Sequence, residues 1–491
     1  MVVKILILAL FFVITVGVGI YCRKHATNVN DFVLGGRNVG AWVSAFAYGT
    51  SYFSAVVFVG YAGQFGWSFG ISVVWIGIGN AVLGSYLAWV VLGKRTRQMT
   101  TFLNSATMPD FFAKRYDSEI IRVVVSFVIF VFLVPYSASV YRGLSELFAM
   151  AFGLDVIYCI ILMAVLTGIY VVLGGYIAVA LNDLIQGLIM IVSIIAIIFV
   201  VINSKGGLMS AVEQLSQIPS ATRPDLHGAY VSFLGPDPIT LLAVLVLTSL
   251  GTWGLPQMVH KFYTIKNGNA IKIGTIISTI FAFIIAGGSY FLGSFGRLFY
   301  TPMADGTVAY DSIVPAMLGQ VLPDVLIGVV IVMVLSASMS TLSALVMTSS
   351  STVTLDFLHA VLFKNMSNKT QVAIIKAFCI LFIILSVVIA INPNNLITSL
   401  MSLSWGTLAG AFLGPFLYGL VWKGATKASL WASMIIAIAI NVINLFTGST
   451  TPPIAGSIAI LLSFVIVPVF SLITPKMDRQ LVDRIFSCYD K

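Results

Sequence analysis

Thirteen runs of apolar residues, most of them close to twenty residues long, make up the bulk of this 491-residue chain. They cover 3–21, 41–62, 69–92, 120–152, 156–173, 177–201, 239–262, 271–293, 325–349, 372–391, 397–422, 428–446 and 454–473. Roughly 20 helical residues cross a hydrocarbon core about 30 Å thick. Inside lipid no water completes backbone hydrogen bonds, so a spanning segment is either a helix or a strand of a closed barrel. Continuous apolar runs of this length are helices, and the expected fold is an all-α integral membrane bundle of about 13 transmembrane helices. A composition of 59% hydrophobic and 9% charged residues excludes a soluble globule, where about 25% charge is usual. The first run has only Lys4 ahead of it and no small-residue cleavage signal behind it, which predicts an uncleaved helix rather than a leader.

Positive charge then orients the bundle, because basic loops stay in the cytoplasm. Loops after odd-numbered runs, together with the tail, hold Arg23, Lys24, Arg37, Lys94, Arg95, Arg97, Lys114, Arg115, Lys261, Lys266, Lys272, Lys364, Lys369, Lys423, Lys427, Lys476, Arg479, Arg484 and Lys491. Loops after even-numbered runs hold Lys205, Arg223 and Arg297. The N-terminus is therefore expected outside and the C-terminus in the cytoplasm of a plasma membrane, the inner membrane if the source is bacterial. This asymmetry accounts for the net charge of +9 without a nucleic-acid partner. Cys22, Cys159, Cys379 and Cys488 are scattered and form no CxxC, so neither a disulfide frame nor a transition-metal site is expected. The sequons at Asn365 and Asn368 fall in an expected cytoplasmic loop, out of reach of glycosylation.

Two runs are interrupted at Gly-Thr: Tyr48-Gly49-Thr50-Ser51-Tyr52-Phe53-Ser54, and Gly251-Thr252-Trp253-Gly254-Leu255-Pro256. A pair of broken spans in corresponding positions of two half-bundles points to a secondary transporter, with ion and solute at the breaks. The expected division is an extra helix and loop (1–40), a first inverted repeat (41–204), an extracellular loop (205–238), a second repeat (239–422), and two further helices with a short tail (423–491). The Gly- and Pro-rich loop is expected to hold one short helix near 208–215.

Three strings carry a resemblance: Leu34-Gly35-Gly36-Arg37; Leu173-Gly174-Gly175-Tyr176-Ile177-Ala178-Val179 with Asn182-Asp183-Leu184-Ile185-Gln186; and Ser338-Met339-Ser340-Thr341-Leu342-Ser343. In that order across thirteen runs the chain resembles the sodium:solute symporter family nearly end to end. It is nearest the sodium/proline symporters, with sialic acid and sugar carriers as more distant relatives. The resemblance implies a LeuT-type fold with one helix before the two repeats and two after them.

A sodium ion leaving water needs about five or six oxygens, and an apolar bundle can supply them from unwound carbonyls and hydroxyls. Ser340 and Thr341 fit that need, although membrane hydroxyls also commonly bond the carbonyl four residues back. By resemblance the ion is held by Ser340, Thr341 and the carbonyls of Ala337, Thr50 and Phe53. Asp183 either caps or faces water at the cytoplasmic end of its span, or serves with Ser343 as a second sodium site or exit station. Relatives with two sodium ions use a matching aspartate, Ser340 and the residues at 343 and 344; here Ala344 lacks the oxygen, which implies one coupled sodium.

Arg142 lies about 15 Å inside the end of the fourth run, about ten residues before Gly153 at 1.5 Å per residue. It either pairs with Glu146 one turn on or holds a solute carboxylate, for which a guanidinium is suited. Ser51, Tyr52, Ser54, Asn80, Thr252, Trp253, Gln257 and Trp405 complete the expected solute pocket, though Trp405 is equally well a packing residue. Proline carriers have an acidic residue where Tyr52 stands and an aromatic where Thr252 stands, so the solute need not be proline. No catalytic triad, zinc cluster or phosphate loop is visible, and the chain is not expected to be an enzyme. The expected function is sodium-coupled import of a small polar solute, carboxylate-bearing, such as an amino acid. The alternatives are a sialic acid or sugar symporter, or a sensor or channel on the same scaffold. Sodium, the solute and the bilayer are the partners expected, with no obligate protein partner evident.

Overall fold

A computed structural model describes residues 2–22, 29–220, 222–392 and 396–490. Arg23, Lys24, Lys491 and the side chains of Cys22 and of Leu173-Gly174-Gly175 lie outside that description. Among the described residues, ten helices are long and apolar enough to cross a membrane, and Val3–Val18 and Val156–Ile169 are shorter apolar helices. The bundle is a LeuT-type, inverted-repeat transporter fold.

Local chemistry sets many helix ends. Asp237 accepts from the Thr240 amide ahead of Pro238–Leu250, with proline in the first turn, and Asp155 accepts from Ile157 ahead of Val156–Asn203. Such caps satisfy amides that have no partner within the helix. Gly153 closes Glu119–Phe152 in the left-handed conformation at φ 68°. The expected loop helix is present as Leu208–Ser216.

Val156–Asn203 is helical over 48 residues. A straight helix of that length would measure about 72 Å, well beyond the bilayer. Its first part lies against Ile380, Ile383 and Val388. Tyr176 is 3.0 Å from Thr264, and Lys205, just past the far end, donates to the Leu298 carbonyl at 2.8 Å. Within it Tyr176–Asn203 is long and apolar enough to cross the membrane, and Val156–Ile169 is a shorter apolar stretch. A reversal is made at Gly70, where φ is 61° and a β-carbon would fall 2.1 Å from the Tyr230 carbonyl oxygen, leaving room for glycine alone.

The two broken spans run side by side in opposite directions. The second consists of Ala41–Tyr52 and a continuation from Val56; the seventh consists of Pro238–Leu250, a tight turn Gly251–Trp253, and Pro256–Thr264. Val39 donates to the Thr264 carbonyl at 3.1 Å, and Lys266 donates back to Val39 at 3.0 Å. This clasp joins the start of one to the end of the other. Leu34-Gly35-Gly36-Arg37 feeds it: residues 35, 36 and 37 all have positive φ, which swings the Arg37 guanidinium to within 3.1 Å of the Tyr263 carbonyl.

Candidate ion and solute site

At the first break Phe53 leaves the helix with φ −103° and ψ 112°, although its amide still reaches the Gly49 carbonyl at 3.2 Å. The second span is pinned there to the ninth, Asp324–Thr352. The Ser338 hydroxyl accepts from the Ala55 amide at 3.2 Å, and the Ser340 hydroxyl donates to Thr50 Oγ1 at 2.8 Å. Thr50 Oγ1 in turn donates to the Phe46 carbonyl at 2.8 Å. Thr341 Oγ1 stands 3.2 Å from the Thr50 carbonyl oxygen, 3.4 Å from that of Ser51 and 3.0 Å from that of Ala337. A hydroxyl has one proton to donate, so three carbonyls around it leave acceptors in surplus. Thr50, Ser340 and Thr341 are fully buried, and acceptors in surplus inside an apolar bundle suit a desolvated cation.

Four of the five expected sodium ligands thus meet within hydrogen-bonding distance. The carbonyl found beside Thr341 together with that of Thr50 is Ser51's rather than Phe53's. Phe53 instead lines a small void with Ser54, Met333 and Ala337, and its ring centroid is 4.2 Å from that of Tyr52.

Next to this cluster is an aromatic wall. Tyr52 and Trp405 stack at 5.6 Å, and Tyr136 meets Trp405 edge-on at 5.6 Å. The Tyr52 hydroxyl donates to the Thr248 carbonyl, which holds the first break against the second. Asn80 Oδ1 accepts from Thr248 at 2.9 Å and from Ser249 at 3.0 Å. Thr252 and Tyr48 both donate to the Gly84 carbonyl, at 3.0 and 2.8 Å, and Trp253 Nε1 donates to that of Leu83 at 2.9 Å. The Ser54 hydroxyl accepts from the Val56 amide at 3.2 Å. Among the described residues, the polar atoms of Ser51, Tyr136, Tyr290 and Trp405, and the Asn80 amide nitrogen, are buried without a hydrogen-bond partner. Buried polar groups are normally paired, so these atoms are open to a polar partner.

The remaining expected residues are elsewhere. Arg142 bonds Glu146 one turn along the same helix, Nη2 to Oε1 at 3.0 Å and Nε to the same oxygen at 3.1 Å. Gln257 is not at the aromatic wall but shares a separate cavity with His260 and Lys261. Asp183 neither caps nor faces water. It is fully buried, 3.7 Å from Lys261 Nζ, while Ser343 donates to the Ser340 carbonyl at 2.9 Å. Lys261, read from the sequence as a loop residue, is likewise buried, because the clasp at Thr264 draws the last turn of the seventh span into the bundle.

The sequence matches the model of the sodium:solute symporter family over residues 32–437. The chain belongs to that family. This symporter is 28% identical over 448 residues to the osmoregulated proline transporter OpuE of Bacillus subtilis, covering 90% of this chain and 89% of the relative. It is also 28% identical over 438 residues to a sodium/proline symporter of Staphylococcus aureus, covering 88% and 83%. Among solved structures it superposes on a sodium-coupled sialic acid symporter in a substrate-bound outward-open state. There the TM-score is 0.77 at 20% identity, with 96% of this chain and 98% of the other covered. A nucleobase-cation-symport-1 family transporter in a closed conformation gives 0.54 at 13% identity, covering 93% and 98%.

In this symporter the sequence reading missed Tyr136, Tyr290, Thr248 and Ser249, which build the wall and its polar rim. Tyrosines inside long apolar runs look like packing residues. Only the fold shows that Tyr136 reaches Trp405, 269 positions away in a different helix.

Proposed function

We propose that this symporter carries one sodium ion inward with one small carboxylate-bearing solute, an amino acid such as proline or a related acid. The ion is held by the carbonyls of Thr50, Ala337 and Ser51 or Phe53 and the hydroxyls of Ser340 and Thr341. The surplus of acceptors around Thr341 is the observation that carries this reading. The solute rests on Tyr52, Tyr136 and Trp405, with Ser51, Asn80 and Thr252 as polar handles. Two relatives that match over most of their length are named as proline transporters, which supports an amino acid. With Arg142 committed to Glu146, the carboxylate is met by hydroxyls and by the ion itself.

Sodium ties the second span to the ninth and favours the state open to the outside; solute then bridges the two breaks, and rocking of the bundle exposes both to the cytoplasm. The basic end of the protein, with Lys94, Lys114 and Lys423, faces the cytoplasm. One charge moved inward gains about 2.3 kcal/mol per 100 mV, enough for about fiftyfold accumulation.

The number of unpaired donors and hydroxyls at the wall favours a second reading, a sugar or sialic acid, which would bring more hydroxyls than an amino acid. Proteoliposomes with an imposed sodium gradient, offered radiolabelled amino acids, sialic acid and hexoses in turn, distinguish them. Amino-acid uptake that collapses without sodium supports the first reading. Uptake of a hexose or sialic acid alone replaces it with the second.

A further inference from the structure

The last described helix, Arg479–Phe486, and the turn Ser487–Tyr489 lie across the basic end of the bundle. Val482, Ile485, Phe486 and Cys488 are buried, while Arg479 and Asp483 meet water. This segment joins two walls of the candidate solute site. One is the eleventh span, Ile397–Val421, which carries Trp405. The other is the third span, whose Asn80 meets Ser249 beside the second break and whose continuation is Lys94–Phe102. The two helices touch at this end, and the Ser487–Tyr489 turn packs on Lys94–Phe102. Tyr489 donates to the Leu420 carbonyl at 2.8 Å, and Asp483 pairs with Lys423 at 2.6 Å, just past the end of the eleventh span. A helix leaves its last carbonyls without internal partners, and here side chains take them. Arg115, on Met108–Tyr116, donates to those of Gly419 at 2.8 Å and Trp422 at 3.0 Å, and its guanidinium lies 5.2 Å from the centre of the Phe486 ring.

The grip is light. Lys423 and Asp483 are 58% and 49% exposed, so water competes for the pair. Leu481 and Ile485 share a cleft of about 610 Å³ with Phe102 and Ala113 instead of packing closely against them. Pro415 stands inside the eleventh span between Trp405 and the gripped end, where it removes one helical hydrogen bond and gives the span a place to bend. We propose that the last helix is a releasable strap, which holds the eleventh span against Lys94–Phe102 and lets go when the solute site opens at the basic end. This rests on the reading that the basic end opens during transport and that sodium favours the opposite state. Opening there parts the helix of Trp405 from the helix of Asn80, and the strap is fastened to both. One hydroxyl, one exposed ion pair and a partly packed apolar face slow that parting without preventing it.

The test follows two thiols in purified protein treated with N-ethylmaleimide, each read by peptide mass spectrometry. Cys488, buried under the strap, reports its release. A thiol introduced by Thr348→Cys reports opening, because Thr348 lines the cavity shared with Gln257, about two turns beyond Thr341. In that background Tyr489→Phe and Asp483→Asn, which keep the side-chain shape and hence the fold, are compared with the unaltered strap. The net worth of one hydrogen bond corresponds to about twofold to tenfold in an opening equilibrium. Both variants should speed labelling of Cys488 by that much and speed labelling at Thr348→Cys in step. Faster Cys488 with an unchanged rate at Thr348→Cys would make the helix a surface appendage and overturn the proposal, as would unchanged rates at both thiols. Exchanging potassium for sodium at constant ionic strength tests the underlying reading separately, since sodium should slow labelling at Thr348→Cys. Indifference to sodium there rejects the ion reading alone, and the strap is still decided by the variants.

Discussion

The Ser340 hydroxyl stands 2.8 Å from the hydroxyl of Thr50, joining positions 290 residues apart at the point where the second span unwinds. That one contact brings the hydroxyl pair of the ninth span to the carbonyls that the break exposes. The proposed ion site therefore exists only when two distant helices meet.

Removing either ninth-span hydroxyl should weaken sodium binding and leave the fold intact. A hydrogen bond or ligand contact to a charged group is worth about 1.5–3 kcal/mol, so Thr341→Ala should raise the sodium concentration for half-maximal uptake by tenfold or more. Ser340→Ala should do the same to a smaller extent, because Thr50 Oγ1 keeps its bond to Phe46. The measurement is solute uptake against sodium at fixed solute. Unaltered sodium dependence in both variants would place the ion elsewhere.

Arg142 and Glu146 should behave as a structural pair. Arg142→Ala leaves a mostly buried carboxylate without its partner, expected to cost about 2–4 kcal/mol and to reduce the yield of folded protein. Adding Glu146→Ala should recover most of the loss. Thermal melting of the purified variants gives the comparison. A stable Arg142→Ala protein that no longer binds solute would make the guanidinium a solute ligand instead.

Asp311 supplies a pH signature at the end of the bundle opposite the basic loops. It lies outside the spans, and burial pushes its carboxyl up to about 7, from 3.8 in an unfolded chain, with Glu146 adding to the rise and the Ile397 amide and Arg142 opposing it. Between those two values the folded protein holds more protons than the unfolded chain, so this residue's contribution to stability falls as pH rises through the window and levels off above it. Asp311→Asn should remove that part of the slope. Melting temperatures of both proteins between pH 4 and pH 8 would show it, and parallel curves would assign the slope to other groups.

The basic end should be reachable only from inside the cell. Thr101 is exposed beside Lys94, Arg95 and Arg97, so a cysteine there should resist impermeant reagents in intact cells and react once the membrane is opened. Labelling of intact cells would invert the topology.

Much of the architecture was legible in the sequence because one physical constraint, the thickness of a bilayer, leaves few options for a run of twenty apolar residues. The broken spans were legible for a similar reason, as Gly-Thr and Gly-x-Pro interrupt otherwise continuous helix. Lys261 was not. A lysine at the last turn of the seventh run, counted with the basic loop that follows, reads as a water-facing residue until the clasp between Val39 and Thr264 is seen to hold that turn in the bundle. Gln257 was misplaced by the same cause, since it shares a helical face with Lys261 and follows it into the cavity beside Asp183. Arg142 had two partners open to it because a one-dimensional reading shows the neighbour at four residues but not what lies across the bundle.

At the break, the link between the second and ninth spans runs through hydroxyls and carbonyls, and this bears on how easily it can be undone. Each such bond contributes only about 0.5–1.5 kcal/mol net, because water offers the same partners when it enters. Separating packed side chains would instead forfeit close contacts that water cannot replace. In the proposed transport cycle such a join would be a latch with a shallow catch, strong enough to register the presence of an ion and weak enough to release on every turnover. A variant that replaced Ser338 and Ser340 with well-packed aliphatic residues would be expected to lock rather than loosen, trading transport for stability.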